Sequence, residues 1–147
     1  MMLFKEFCEA VENARRSHPI WFALSSDGIP SDEIIAKMEE RLQIPLPETY
    51  KAFLKQYGGG YFGFALVYSC DSNSRHCLTK NVTAEWIREH AFLPVVDLET
   101  GDLGGFPVEN GFCAGTVGIY DHEQNTVLRQ PTDFFTFLTA YALHQAN

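Results

Sequence analysis

Six of the nine cysteines and histidines, side chains of the types that bind metals or attack as nucleophiles, fall between residues 70 and 122. Cys70, His76 and Cys77 share one short segment, and His90, Cys113 and His122 lie farther on. A structural zinc site is built from close pairs such as Cys-x2–4-Cys. Here the spacing is Cys-x6-Cys, with the second cysteine directly after a histidine. That pattern predicts a free-thiol loop with an exposed histidine rather than a metal site. A cysteine nucleophile needs an adjacent base and an electropositive surrounding, whereas Cys113 falls inside an apolar stretch that reads as a strand, with its side chain directed into the core. No Gly-x-Ser-x-Gly elbow is present. Gly58-Gly59-Gly60 follows a helical pattern and precedes a strand-like one. A phosphate cradle needs the opposite order, strand, loop and then helix N-terminus, so the glycines read as a helix C-cap. No catalytic residue and no cofactor are expected.

Carboxylates offer a different kind of chemistry. Asp97/Glu99, Asp102/Glu109 and Asp121/Glu123 are close pairs, and general acid–base work would require two of them in one cleft with separated pKa values. They occupy turn-like sequence, where Asp is common for backbone reasons. Their collective charge is more distinctive. The 147 residues carry 11 Lys+Arg and 19 Asp+Glu, a formal net charge of −8. Up to Tyr57 there are seven basic and nine acidic residues, net −2; beyond it there are four and ten, net −6. From Glu89 to Leu128 there is no Lys or Arg. An acidic balance argues against nucleic acid, which needs clustered Lys and Arg. A face rich in carboxylates steers a basic protein partner; acidic turns also keep a sheet soluble and its edges unpaired.

The elements that must position these groups follow from periodicity. Leu3, Phe4, Phe7, Cys8, Val11 and Ala14 predict a first helix to Ser17, ended by His18-Pro19. Ser31 is the N-cap of a second helix with the stripe Ile34, Ile35, Met38 and Leu42, stopping near Gln43. In the third, Pro47 sits in the first turn, and Tyr50, Phe53, Leu54 and Tyr57 form one core-facing stripe. Tyr61 to Tyr68 reads as a single buried strand, Asp71 to Lys80 as a polar loop, and Thr83 as the N-cap of a short helix to about Ala91. Leu93–Leu98 is a strand whose Pro94 belongs at its start or at an edge. Asn110-Gly111 is a strong hairpin signal, with the second strand continuing through Val117 to Tyr120. Thr126–Arg129 is a further strand, and a last helix from Thr132 or Asp133 carries Phe134, Phe137, Leu138 and Tyr141. Helices, then short-linked strands, then a helix predict an α+β domain: one antiparallel sheet of about four to six strands with helices packed against it.

Ser31-Asp32-Glu33-Ile34, the run Glu40-Arg41-Leu42-Gln43-Ile44-Pro45-Leu46-Pro47-Glu48-Thr49-Tyr50-Lys51-Ala52-Phe53-Leu54 and the glycines at 58–60 together resemble the SUKH superfamily, which includes the cell-wall-assembly regulator domain and many bacterial immunity proteins. Phe92-Leu93-Pro94-Val95, Gly101-Asp102, Gly118-Ile119-Tyr120-Asp121-His122-Glu123 and Phe134-Phe135-x-Phe137-Leu138 are similar to that family's second half. The likeness spans about residues 31–140 of a single domain covering 1–147. Two departures stand out: Gly58 where the family often has Asn, and a Cys70–Lys80 loop without counterpart.

The resemblance implies a non-catalytic binding module, of the kind that neutralises polymorphic toxins, frequently nucleases. The expected contact surface is an acidic rim of Asp97, Glu99, Asp102, Asp121 and Glu123, with Tyr61, Tyr68 or Trp86 as an aromatic anchor if exposed. The expected partner is a basic toxin domain; neither nucleic acid nor membrane is expected, and a homodimer is open. The opening segment lacks an export signal, and no apolar run reaches the length of a membrane span, so a cytoplasmic protein with free thiols is expected. A regulatory scaffold of cell-envelope or stress pathways is the alternative. Less favoured is a small enzyme whose site joins His76, His122 and turn carboxylates.

Overall fold

Helical periodicity places the three N-terminal helices as expected in a computed structural model that describes residues 1–145. Helix α1 (Phe4–Ser17) buries Phe7, Val11 and Ala14. Leu3, which the spacing put on that stripe, instead precedes the first turn, its N–H donated to Glu6 Oε1 at 2.8 Å, and remains exposed. A 3-10 turn follows at Pro19–Phe22. In α2 (Asp32–Leu42), Ser31 Oγ accepts the Ile34 N–H, and the chain leaves the helix at Gln43 in the left-handed conformation, φ 60°. Ile35, Met38 and Leu42 are buried, while Ile34 faces out. Helix α3 (Glu48–Tyr57) buries its whole expected stripe and ends on Gly58, φ 82°. A Cβ there would lie 2.1 Å from the Asp27 carbonyl oxygen, so glycine is required both by the backbone angle and by the approach of the 27–28 segment.

The apolar run after the glycines is two strands rather than one. β1 (Gly60–Phe62) and β2 (Ala65–Val67) form a hairpin that turns at Gly63-Phe64. Gly63 has φ 57°, and its Cβ position would lie 2.2 Å from the Ala142 carbonyl oxygen. The polar loop then contains a one-turn helix, α4 (Leu78–Asn81), and Cys70 and Cys77 are buried under it. Thr83 caps α5 (Ala84–His90) through Oγ1, which accepts the Trp86 N–H at 3.1 Å.

β3 (Phe92–Asp97), β4 (Leu103–Glu109), β5 (Phe112–Cys113), β6 (Gly118–Asp121) and β7 (Thr126–Arg129) complete an antiparallel sheet of seven strands. The order is β1-β2-β3-β4-β6-β7, with the two-residue β5 pairing only with the far end of β4. Asn110 and Gly111 both take positive φ, as the expected hairpin requires. The second hairpin strand does not run on unbroken: residues 114–117 leave the ladder before β6 pairs with Leu103–Gly105. Pro94 lies in an interior strand, not at an edge; the register shift between Pro94 and Val96 absorbs the missing N–H.

Helix α6 (Phe134–Leu143), capped by Asp133, packs on the sheet. Phe137 sits over Gly104, where a Cβ would lie 2.8 Å from its ring. The core is strongly aromatic. Phe7 lies 5.0 Å from Phe135 and 6.0 Å from Phe62, and Phe134 lies 5.3 Å from Phe106, ring centre to ring centre. Tyr141, expected on the buried stripe, is 41% exposed.

Candidate functional site

Strand pairing decides which carboxylates meet. Asp97 ends β3 opposite Leu103, the first residue of β4, and Leu103 in turn faces Tyr120 of β6. The β3–β4 turn and the β6–β7 turn therefore leave the same end of the sheet and carry Asp97, Glu99, Asp102, Asp121 and Glu123 there together. Each Asp is fixed by its local turn. Asp97 Oδ1 accepts the Glu99 N–H at 2.8 Å, and Asp121 Oδ1 accepts those of Glu123 and Gln124 at 3.0 and 3.2 Å. Asp102 Oδ1 accepts the His122 N–H at 3.1 Å and lies 2.6 Å from its Nδ1, which ties the two turns to each other. The His122 ring lies on Gly101, which has no room for a Cβ.

This tie sets the titration of both partners. The hydrogen bond to Asp102 holds His122 above its ordinary 6.5, with Glu123 and Asp121 adding to the effect. The same bond holds Asp102 below its ordinary 3.8. Among the described residues no Lys or Arg pairs with any of these five acids; Asp102 pairs with His122 alone. Donor atoms of Asp102, Asp121 and His122 lie within 4.8 Å of one another. Asp102 Oδ1 and Asp121 Oδ1 are already committed to protein N–H groups, as a turn would have them.

Between this acidic end and α6 lies a groove of about 310 Å³. Ala65, Leu98 and Ile119 line it, and Asp97, Glu99 and Asp102 stand along one side. Phe64, 50% exposed, and Tyr141 form its apolar lips. The lips are the part that sequence reasoning missed. Gly63, a glycine inside an aromatic run, was the available signal of a hairpin tip that would present Phe64 to solvent.

The aromatic candidates are not gathered at this end. Tyr68 is buried, 5% exposed, with its hydroxyl 3.4 Å from Asp97 Oδ2, and its pKa is raised by burial and by that carboxylate. Tyr61, half-buried on β1, packs edge-on against His76. Trp86, also half-buried, stacks on His90 at 3.9 Å and meets Tyr120 at 5.1 Å. His76 and His122 thus lie on different parts of the sheet, one against β1 and one beyond β6. Burial pushes the Cys70 thiol up to about 12, and Cys113 likewise to about 12, which disfavours the thiolate a nucleophile needs. Cys113 is only half-buried, its Sγ directed to the Pro45 carbonyl.

A second cleft, of about 370 Å³, separates α2 from the Cys70–Thr79 loop. Lys37 and Arg41 stand beside it with Ile29 and Ile34. The polar groups of the loop are largely consumed internally, as Asp71 accepts the N–H of Gly28 and of Asn73, and Lys80 donates to the Ser72 carbonyl.

Comparison with known proteins bears on this arrangement at the level of the family. The SUKH family model described as SMI1-KNR4 cell-wall matches residues 32–138, most of the chain. The match takes in α2, α3, the entire sheet and the first half of α6; α1 and the 3-10 turn precede it. No curated protein matches the chain. Among the described residues, no helix is long and apolar enough to cross a membrane.

Proposed function

Because the chain belongs to the SUKH family described as SMI1-KNR4 cell-wall, a family that includes immunity proteins, we propose that it is a non-catalytic, cytoplasmic binding module. Its role is to neutralise a basic toxin domain by covering the toxin's active surface. One observation carries the reading: five carboxylates from two separate turns stand at one end of the sheet and, among the described residues, no Lys or Arg is paired to them. Unpaired charge of one sign is weak as internal glue but effective as a steering field for an oppositely charged partner.

The direct experiment is co-purification of the tagged protein with the product of the adjacent gene, repeated across a salt series. A toxin-like neighbour that binds tightly at low salt, with association slowing as salt rises, supports the reading. A neighbour of unrelated type, or binding indifferent to salt, removes it. The regulatory-scaffold alternative is favoured by one specific observation, the exposed apolar side chains Ile20 and Leu24 after α1, which suit a salt-indifferent contact.

A further inference from the structure

Phe64 and Tyr141 are exposed apolar residues whose rings nevertheless pack against neighbours. The Phe64 N–H donates to the Ala142 carbonyl at 2.9 Å, so the hairpin tip is pinned to the last turn of α6. Gly63 makes that approach possible, having no Cβ to strike the same carbonyl. One side of the Phe64 ring is walled by Trp21 at 4.9 Å and His144 at 3.9 Å. Tyr141 is braced by Phe137 at 4.5 Å. Two packed aromatic rings therefore line a groove that they share with the apolar Ala65, Leu98 and Ile119 and with the carboxylates of Asp97, Glu99 and Asp102. A rigid aromatic loses little conformational entropy when it is covered, so its contact area converts to affinity more efficiently than that of a mobile side chain.

We propose that this groove is the docking site for a short cationic segment of the partner protein, which inserts one aliphatic side chain between Phe64 and Tyr141 while its flanking Lys or Arg residues meet Asp97, Glu99 and Asp102. Charge complementarity selects the occupant. The groove's lining contains three carboxylates and no cation. An acidic segment would be repelled, and a purely apolar one would leave the rim unsatisfied. The groove's size suits one or two side chains and lies at the low end for small-molecule sites. The other cleft has two cations, Lys37 and Arg41, against the single carboxylate of Asp71, which already accepts the Gly28 and Asn73 N–H groups, so it is the poorer site for this occupant.

The inference rests on the binding-module reading and deepens it, and it can fail separately. The test uses the full chain, isotope-labelled for NMR, and three synthetic peptides: Lys-Lys-Leu-Lys-Lys, its Ser-for-Leu counterpart and its Glu-for-Lys counterpart. The Leu peptide should give saturable shifts at the amides of Phe64, Leu98, Ile119 and Tyr141. The Ser peptide should bind about ten-fold more weakly, because the inserted side chain no longer buries apolar surface. The Glu peptide should give no shift. Tyr141→Lys places a cation at an exposed lip, giving up one ring contact with Phe137, and should abolish binding of the Leu peptide while thermal unfolding confirms that the variant is folded; Phe64→Ala should weaken it. Equal binding of the Leu and Ser peptides, shifts centred on Lys37 and Arg41, or no saturable shift with any peptide at millimolar concentration overturns the proposal. If a toxin partner is found and both variants hold it as tightly as the parent, the groove is not the docking site while the binding-module reading stands. If no toxin is found but the peptide pattern holds, the groove is a docking site and only the toxin-neutralising role falls.

Discussion

Two polar regions of this molecule use their charges in opposite ways. Around the Gly58–Gly60 turn, polar groups are tied to one another. Ser69 Oγ donates to Asp27 Oδ2 at 2.7 Å, Asp27 N–H donates to the Gly59 carbonyl, Asp71 accepts the Gly28 N–H, and the buried Tyr50 hydroxyl donates to the Tyr68 carbonyl at 2.5 Å. At the acidic end of the sheet, Asp97, Asp102 and Asp121 use an oxygen each on turn N–H groups, and among the described residues no Lys or Arg joins them. A network that satisfies itself holds a fold together; carboxylates left without cations cost little in water and are available to a partner. The difference separates residues that serve the structure from residues that can serve recognition.

Substitutions should divide along that line. The largest effect is expected at Tyr50, fully buried beneath the loop. Tyr50→Ala should lower unfolding stability by about 3–5 kcal/mol, the range for removing a large aromatic side chain from a core. Chemical denaturation measures this, and a loss under 1 kcal/mol would break the claim that the loop side is structural. Asp27→Ala comes next. It leaves the buried Ser69 hydroxyl without its acceptor and should cost about 1–3 kcal/mol. Replacing Asp97 with Asn, Glu99 with Gln and Glu123 with Gln together should instead change stability by no more than about 0.5 kcal/mol. The same triple variant should slow association with a basic partner about ten-fold at low salt, measured by stopped-flow or surface binding. A triple variant that unfolds easily yet binds normally would invert the comparison.

The loop side and the sheet end were not equally legible in the sequence. Helix α3 could be read directly, because Tyr50, Phe53, Leu54 and Tyr57 repeat at the helical period and three glycines stop it. The Asn110-Gly111 hairpin was equally plain. Tyr61–Tyr68 was not, because its aromatic run suits one strand as well as two and only Gly63 marks the break. Cys70 and Cys77 are buried, as small apolar thiols are expected to be, but the bridge of Ser69 against Cys77 that closes their loop has no periodic signature. At the sheet end, the charge run was visible as composition. Its convergence depends on β4 pairing with β3 on one side and β6 on the other, which hairpin signals alone left open. The groove lips were missed for a related reason: spacing put Tyr141 on the face of Phe134, Phe137 and Leu138, but periodicity does not say where the sheet beneath that face ends.

The smallest expected effect is the most specific test of how the acidic end is organised. His122 and Asp102 join its two turns by a single exposed hydrogen bond, so the contribution to stability is small and screened by salt. Its pH dependence still has a definite sign. His122 is raised above 6.5, so its contribution is complete below that value and is lost as pH rises through the folded pKa. Asp102 is lowered below 3.8, so its contribution is present above that value and is lost as pH falls through the folded pKa. The two describe one bond, which is therefore strongest between 3.8 and 6.5 and weakens toward alkaline pH. An NMR titration of the His122 ring should give a midpoint above 6.5 that falls in Asp102→Asn; identical midpoints in both would show that the turns are held together without the bond. Deprotonation of His122 also removes the one positive charge paired with these acids. A cationic peptide should therefore bind the parent protein somewhat more tightly above the folded His122 pKa than below it at fixed ionic strength. On the loop side, Asp71 is lowered by backbone N–H groups that do not titrate, so its contribution stays constant between about pH 6 and about pH 8. If the pH response instead appears at Asp71 and Gly28 and leaves the sheet end unchanged, the division between a self-satisfied region and a receptive one is wrong.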